Sequence, residues 1–268
     1  MVANTISGVV PFLVAHVARS LAADPEPLLR CTGVEAATPP QGDAHIPIEA
    51  YFEVWGRAMA LFDDSFPLRV ASAFRHEDNE IFGFLAMSCE SLGEAFDRTL
   101  RYSRLYTVGA TYEMDSDGDA TRITWLPWPG QVDDIGYRAA MDYHVANMEQ
   151  AIRQLGVAPP RPVEVRLRHA RPRDIGQYVA FYGSLPRFGS TRYELVYPAG
   201  LRDIAVTTFN SRLRDYFDTE CRRVIEKIGA DPGIAAQVRK ALIGVMDGGD
   251  SGIDAIAKRL GISTRSLQ

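Results

Sequence analysis

Polar side chains at positions 264–268 have the types and the spacing that read the edges of DNA bases. The set is Thr264, Arg265, Ser266 and Gln268. A guanidinium pairs with guanine, and a carboxamide pairs with adenine or contacts a phosphate. Such groups act from the N-terminal turn of a recognition helix that lies in the major groove. We therefore predict that these four residues contact DNA.

The residues around this set fit the front of a helix-turn-helix, in which two short helices cross around a sharp turn. Gly261 suits the left-handed backbone that ends the first helix, and Ser263 can cap the second helix through its side-chain oxygen. Ala257 is small where the second helix comes close. The residues expected in the core of the motif are Ile256, Leu260, Ile262 and Leu267. On this pattern alone, a plain corner between two helices of a bundle is an equally good interpretation.

Two segments resemble catalytic or metal-binding motifs but predict ordinary structure. GDSG at 249–252 resembles the nucleophile segment of trypsin-like proteases. A serine nucleophile needs a histidine base held by a carboxylate, and here the surrounding chain is helical, so Ser251 is interpreted as a helix cap. DSDGD at 115–119 has its glycine one residue too early for a calcium loop, and Leu126 stands where the bidentate glutamate belongs, so a hairpin turn is predicted.

The sequence predicts no enzyme, no metal site and no cofactor. It contains no GxxxxGK[ST] phosphate loop, no HExxH zinc motif and no GxGxxG dinucleotide motif. Cys31, Cys89 and Cys221 are far apart and lack CxxC spacing, which indicates buried thiols rather than a disulfide framework or a zinc knuckle. His144 is interpreted as a half-buried histidine with satisfied ring nitrogens and no further role.

Aromatic side chains are the candidates for a small-molecule pocket. The wider set is Trp55, Phe62, Phe82, Phe84, Tyr102, Tyr106, Trp125, Trp128, Tyr137 and Tyr143. Most aromatics at helix or strand spacing belong to a core, so only a few can line a pocket. The residues selected as ligand contacts are Trp55, Phe84, Tyr102, Tyr106, Trp125 and Tyr137. Few buried charges are expected among them, which favours an apolar or amphipathic ligand over a sugar.

The elements that would position these residues are those of an α+β protein. Helices are predicted over 8–22, 48–62, 81–87 and 91–106, the last with a capping box formed by Ser91 and Glu94. From position 108 the hydrophobic period changes, and TYEM and RITWLP form a hairpin around the DSDGD turn. The pocket is expected between the long helix that follows and either this sheet or the N-terminal helices.

The rest of the chain alternates between helices and strands and then becomes purely helical. An amphipathic helix is predicted over 134–156, then a strand over 163–169, a short helix in ARPRDIGQYVAFYG, and a second hairpin formed by RFGS and RYELVYP. Beyond Pro198 three helical segments follow, at 207–229, 232–249 and 253–268. The predicted architecture is therefore N-terminal helical segments plus a small antiparallel sheet with a long helix, followed by an all-α linker and a partial helix-turn-helix.

Charge differs between the two ends of the 268-residue chain. Residues 1–200 hold 18 basic and 25 acidic residues, net −7, whereas residues 201–268 hold 11 basic and 9 acidic residues, net +2. A mildly basic C-terminal segment after an acidic N-terminal one is compatible with nucleic acid binding, although an ordinary solvated surface would have the same charge balance. No segment is apolar over the length of a membrane span and the N-terminus lacks a basic leader, so we expect a cytoplasmic protein without membrane contact.

IAKRLGISTRSLQ resembles the first helix-turn-helix of AraC/XylS regulators, whose pattern reads A-x-x-L-x-[MI]-S-x-R-x-L-Q. The matching residues are Ala257, Leu260, Ile262, Ser263, Arg265, Leu267 and Gln268. The segments 91–105 and 163–201 are similar to the arabinose-binding-like sensor domain of the same family. That family continues with the rest of the recognition helix, a linker helix and a second helix-turn-helix, whereas this sequence stops at Gln268. We therefore expect a chain cut within the first motif.

The resemblance implies a ligand-responsive regulator that binds promoter DNA as a homodimer. It implies an effector-binding and dimerising domain over 1–205, a helical linker over 206–231, and a partial DNA-binding domain over 232–268. Because the motif is incomplete and the net positive charge is small, we expect residues 1–268 to bind DNA weakly or without specificity. The alternative is a sensor-only or dimerisation module that does not bind DNA.

Overall fold

The computed structural model describes residues 5–38, 40, 44–108, 112–128 and 134–229, with the backbone alone at 104, 108 and 226–229. The chain divides into two compact units, Asn4–Arg222 and Met1–Ala3 with Arg223–Gln268. The first unit is described almost throughout, and the second only over 223–229. The predicted helices over 232–249 and 253–268, and the helix-turn-helix with them, lie outside the described residues.

Helices dominate the first unit. Within the described residues they are α1 (Val9–Ser20), α2 (Glu26–Leu29), α3 (Ile48–Met59), α4 (Phe66–Ala73), α5 (Glu80–Met87), α6 (Leu92–Arg101), α7 (Ile135–Leu155), α8 (Gly176–Tyr182) and α9 (Ser211–Gly229), which continues into the second unit. Short 3-10 helices lie at His76–Asn79, Ser103–Leu105 and Leu201–Asp203. The predicted helices at 8–22, 48–62, 81–87 and 134–156 are confirmed, with ends that differ by three residues or fewer.

Two small antiparallel sheets accompany the helices. One has the strand order β2-β1-β3 and consists of β1 (Thr5–Ser7), β2 (His45–Pro47) and β3 (Thr107–Val108). The other has the order β4-β5-β7-β6 and consists of β4 (Tyr112–Ser116), β5 (Ala120–Trp125), β6 (Glu164–Arg166) and β7 (Glu194–Pro198). The α+β fold class predicted from the sequence is confirmed.

Side-chain caps explain where two helices begin. The Tyr137 N–H donates to Asp134 Oδ1 over 2.8 Å at the start of α7. At α6 the Glu94 N–H donates to Ser91 Oγ over 3.2 Å, but the Glu94 carboxylate accepts from Glu90 rather than from Ser91. The predicted cap by Ser91 is therefore present. The reciprocal hydrogen bond of the capping box comes from Glu90 N–H, one residue before the predicted donor. The predicted helix 91–106 ends at Arg101, and a 3-10 turn replaces its last part.

The predicted second hairpin, formed by RFGS and RYELVYP, is wrong. RFGS runs beside β6 and the segment after it instead, because Arg187 N–H donates to the Val165 carbonyl of β6 and Gly189 N–H donates to the His169 carbonyl, over 2.8 and 2.9 Å. Gly189 has φ +68, a left-handed conformation that a regular strand does not contain. RYELVYP therefore forms a single strand, β7, which pairs with β5 on one side and β6 on the other.

Helix α7 lies at the centre of the core, packed against α3 and α4. It approaches the backbone of α3 so closely that a Cβ at Gly136 would lie 2.2 Å from the Phe52 carbonyl oxygen. Across the same contact, a Cβ at Gly56 would meet nothing nearer than the Gly136 Cα at 3.9 Å. The crossing therefore depends on the glycine of α7 and tolerates a side chain at the glycine of α3.

This asymmetry is testable with two matched substitutions. We expect Gly136→Ala to lower the free energy of unfolding by about 1–3 kcal/mol, because the helices must move apart. Gly56→Ala should be neutral or stabilising by up to about 1 kcal/mol, since alanine favours a helix. Urea denaturation followed by tryptophan fluorescence measures both. Equal stabilities of the two variants would contradict the close crossing.

Candidate functional site

A cavity of about 160 Å³ lies beside α7 in the first unit. Its wall is formed by Phe74, His76, Asn79, Phe82, Gly83, Ala86, Ala95, Phe96, Thr99, Ser103, Tyr106, Thr107, Tyr112, Trp125, Leu126, Trp128, Met141, His144, Asn147, Met148, Ala151 and Leu155. We call it the α7 cavity. Its volume is comparable with that of an engineered apolar cavity of about 150 Å³ that takes up benzene.

Helical periodicity explains how α7 supplies one whole side of the wall. Its lining residues are Met141, His144, Asn147, Met148, Ala151 and Leu155, which recur every three or four positions and so share one face. The opposite walls come from α5, α6 and the strands β4 and β5. Small residues of α5 and α6, namely Gly83, Ala86 and Ala95, leave the space open where larger side chains would fill it.

Within the described part of the chain, the wall of the α7 cavity carries no Asp, Glu, Lys or Arg. Its two histidines stay neutral near pH 7, because burial lowers the pKa of His144 to about 3 and also lowers the pKa of His76. The His144 Nε2 and the Tyr51 hydroxyl form a hydrogen bond of 3.0 Å. The His76 Nε2–H donates to the Ala151 carbonyl over 3.3 Å and so ties the 3-10 helix to α7.

The polar groups of the wall are neutral hydrogen-bonding groups. Burial raises the pKa of Tyr112 to about 12, so its hydroxyl remains protonated. The Trp128 Nε1–H and the Asn147 Oδ1 are buried without a hydrogen-bond partner. Such groups are costly in a protein interior unless water or a ligand satisfies them. The site can therefore hold an apolar molecule and offer it a few hydrogen bonds.

The α7 cavity brings together two of the six aromatic residues selected from the sequence, Tyr106 and Trp125. Trp55 packs in the core with its ring centroid 5.3 Å from that of Tyr143, and Tyr137 packs at 5.4 Å from Phe52. These two residues point into the α3–α7 packing rather than into the cavity.

The other two selected residues contact α9. The Tyr102 hydroxyl donates to Asp218 Oδ1 over 3.0 Å, and the Phe84 ring stacks on Phe217 at 5.5 Å. From the wider aromatic set, Phe82 and Trp128 line the cavity. Thr264, Arg265, Ser266 and Gln268 lie outside the described residues.

Sequence reasoning missed the two histidines and the small residues of the wall. His144 was interpreted as having no role, yet its accessible surface faces the α7 cavity, and its ring packs 5.4 Å from Trp128. A signal was present, because a histidine on the face shared by Met141 and Met148 is unusual in an otherwise apolar row. The glycine and alanines gave no signal, since small residues are common in any helix.

Within the described residues, no group of three or more His, Cys, Asp or Glu side chains could hold a metal ion. In the same part of the chain, no helix is both long enough and apolar enough to cross a membrane. The three cysteines are free thiols, and those of Cys89 and Cys221 are buried.

The chain matches a family of ligand-binding domains of transcription regulators. The family model described as the arabinose-binding domain of AraC transcription regulator, N-term, matches residues 23–205. The chain therefore belongs to this family. The match includes all the residues that line the α7 cavity.

A solved structure, that of the transcriptional regulator CdpR from Pseudomonas aeruginosa, is similar in fold. The two proteins share 17% sequence identity with a TM-score of 0.52, and the similarity covers 90% of this chain and 76% of that chain. None of the curated proteins compared with this chain matches it.

The neutral state of His144 predicts a pH dependence of stability. The unfolded chain has an ordinary histidine pKa of about 6.5, while the folded value is about 3. Between these values the unfolded state binds more protons, so the free energy of unfolding falls as pH falls. We expect this residue to contribute a loss of about 2 kcal/mol between pH 7 and pH 5.

Urea denaturation at pH 7 and pH 5 measures this contribution. His144→Gln, which keeps a hydrogen-bonding group beside Tyr51, should lose less stability than the wild type over this interval. His16→Gln, at an exposed position of α1, is the matched control and should behave like the wild type. The same pH dependence in all three proteins would show that His144 is not held neutral by burial.

Proposed function

We propose that this protein is a ligand-responsive transcriptional regulator in which a small molecule bound in the α7 cavity controls DNA binding by the helix-turn-helix. The observation that carries the proposal is the α7 cavity itself, a mostly apolar space within the matched sensor domain. Ligand sites are typically concave and mostly apolar, with a few polar groups that orient the ligand. The DNA contacts proposed are Thr264, Arg265, Ser266 and Gln268.

The proposed domain organisation follows from the same assignment. Residues 1–205 form the effector-binding and dimerising domain, 206–231 form the helical linker, and 232–268 belong to the DNA-binding domain. The compact unit that ends at Arg222 includes the first part of α9. The first part of the proposed linker therefore belongs to the same compact unit as the proposed sensor domain.

A dimerisation module is the second candidate function, and a surface feature of α9 favours it. Leu213 and Tyr216 are 47% and 59% exposed, and Phe209 just before the helix is 43% exposed. Their spacing places them along one side of the helix, where an apolar stripe could pair with another chain. In that case α9 would serve a homodimer irrespective of any ligand.

A thermal-shift screen of the whole chain against neutral metabolites and lipids separates the two functions. A ligand specific to the native state adds about 2.7 kcal/mol of stability at 100 times its dissociation constant. We expect at least one such ligand, and we expect Ala95→Leu, which fills the α7 cavity, to abolish its effect. Ala180→Leu, at an exposed position of α8, should not. A well-folded sample that responds to no compound would favour the dimerisation module.

A further inference from the structure

We infer that the effector of the α7 cavity is an uncharged molecule and that the site rejects carboxylates of the same shape. This inference rests on the proposed function and specifies its ligand. Among the residues that the structure describes, the wall of the cavity contains aromatic, aliphatic, amide, hydroxyl and imidazole groups, without a charged side chain. A carboxylate placed there would lose its hydration without gaining a counterion.

Several charged groups on α6 and α7 are engaged in ion pairs outside the cavity. On α6, Arg98 pairs with Glu94 over 2.9 Å and also with Asp218 of α9. On α7, Glu149 is fully buried and pairs with Arg153 and Arg161, each over 3.2 Å. None of these six residues lines the cavity. A charged ligand would have to break an existing ion pair to use any of these residues as a partner.

The histidines of the wall do not supply the missing charge. His144 is surrounded by the rings of Tyr51, Tyr106, Trp128 and Tyr143, which carry no charge at neutral pH. With its pKa lowered to about 3, it remains neutral at any pH near 7. The cavity thus offers hydrogen bonds to a hydroxyl, carbonyl, amide or ring nitrogen, but it offers no ion pair.

The test uses matched pairs of about six to ten non-hydrogen atoms, a size set by the cavity volume. Benzyl alcohol is compared with benzoate, and 1-hexanol with hexanoate, each titrated into the whole chain by calorimetry. We expect the uncharged member to bind about 100-fold more tightly or better. Ala95→Leu should abolish that binding, and Ala180→Leu should preserve it.

The possible failures are distinguishable. Equal or tighter binding of the carboxylates, lost in Ala95→Leu, would overturn the inference and leave the proposed function standing. Binding that survives Ala95→Leu, or no binding by any member of the pairs, would overturn the assignment of the α7 cavity as the effector site.

A different observation carries a second proposal. We propose that α5 transmits occupation of the α7 cavity to α9, because α5 lies between them. Phe82, Gly83 and Ala86 of α5 line the cavity. The opposite side of α5 holds α9: Phe84 stacks on Phe217, and the Cys221 thiol lies 3.9 Å from the Ile81 carbonyl oxygen.

The segment before α9 is tied to the end of the same helix. The Thr208 hydroxyl donates to the Met87 carbonyl over 2.6 Å, and the Asn210 N–H donates to the Ser88 carbonyl over 3.3 Å. A shift of α5 would therefore move the contacts at the start of α9 as well as those along its side.

The beginning of α5 is strained. Glu80 has φ +45 and ψ −125, a conformation that non-glycine residues rarely adopt. Three residues later, a Cβ at Gly83 would lie 1.7 Å from the His76 carbonyl oxygen, so α5 is pressed against the 3-10 helix. A strained helix that packs this closely on its neighbours is expected to switch between two positions rather than to shift gradually.

Cys221 is a natural reporter of this coupling. Cys221 lies on the side of α9 that contacts α5, and its thiol is buried there. Burial raises the pKa of this thiol to about 12, so it is unreactive while α9 stays packed on α5. Release of α9 from α5 would expose it. Alkylation with iodoacetamide followed by peptide mass spectrometry reads each cysteine separately, and buried Cys89 reports on any global unfolding.

Filling the cavity from the far wall mimics a ligand. We expect Ala151→Leu, on α7, to raise the alkylation rate of Cys221 about tenfold while Cys89 stays protected. Phe84→Ala, which removes a docking contact, should do the same, and Ala180→Leu should not. If Ala151→Leu does not fold, Met148→Phe fills the same space. An unchanged Cys221 rate in a folded cavity-filling variant would overturn the coupling, whatever the ligand screen finds.

Discussion

Two carboxylates buried on a single helix constrain the whole first unit. Asp142 and Glu149 of α7 are 5% and 0% exposed, and a buried carboxylate is tolerated only with partners. Asp142 accepts a hydrogen bond of 2.8 Å from Tyr178 and lies 3.0 Å from His169, whose pKa is raised by this carboxylate against the opposing effect of burial. Glu149 accepts from the Tyr197 hydroxyl. The segments after β6, in α8 and in β7 are thus held to α7.

The same geometry explains why α7 can also form a binding wall. Asp142 and Glu149 are seven residues apart, which is close to two helical turns, so they lie on one side of α7. The residues that face the cavity, such as His144, Met148 and Ala151, lie on the opposite side. The polar partners fix the helix from behind and leave its apolar side free to border a cavity. A core packed evenly around α7 would have left no such space.

Local signals determined how far the sequence could be interpreted. The helices and the first hairpin were predictable because caps such as Asp134 and turn residues such as Gly118 act within a few positions. The second hairpin failed because RFGS takes its hydrogen bonds from the segment 165–169, which no local pattern reveals. The sheet β1–β3 was missed because its strands are only two or three residues long. Tyr106 and Trp125 were found among the aromatics, but which side of an aromatic faces a cavity depends on tertiary packing.

The small residues of the wall leave space for a ligand at a cost in the stability of the unliganded protein. An enclosed apolar cavity costs roughly 24 cal/mol per Å³, and a cavity of about 160 Å³ that is partly open to solvent costs less than this coefficient implies. Leucine or phenylalanine at Ala86, Ala95 or Ala151 would remove much of that cost, and each of these positions is alanine. A ligand that fits the cavity would offset the same cost on binding. In the proposed coupling, a ligand can shift α5 only by the difference between its binding free energies for the two positions of α5, because equal affinity for both would leave the equilibrium unchanged.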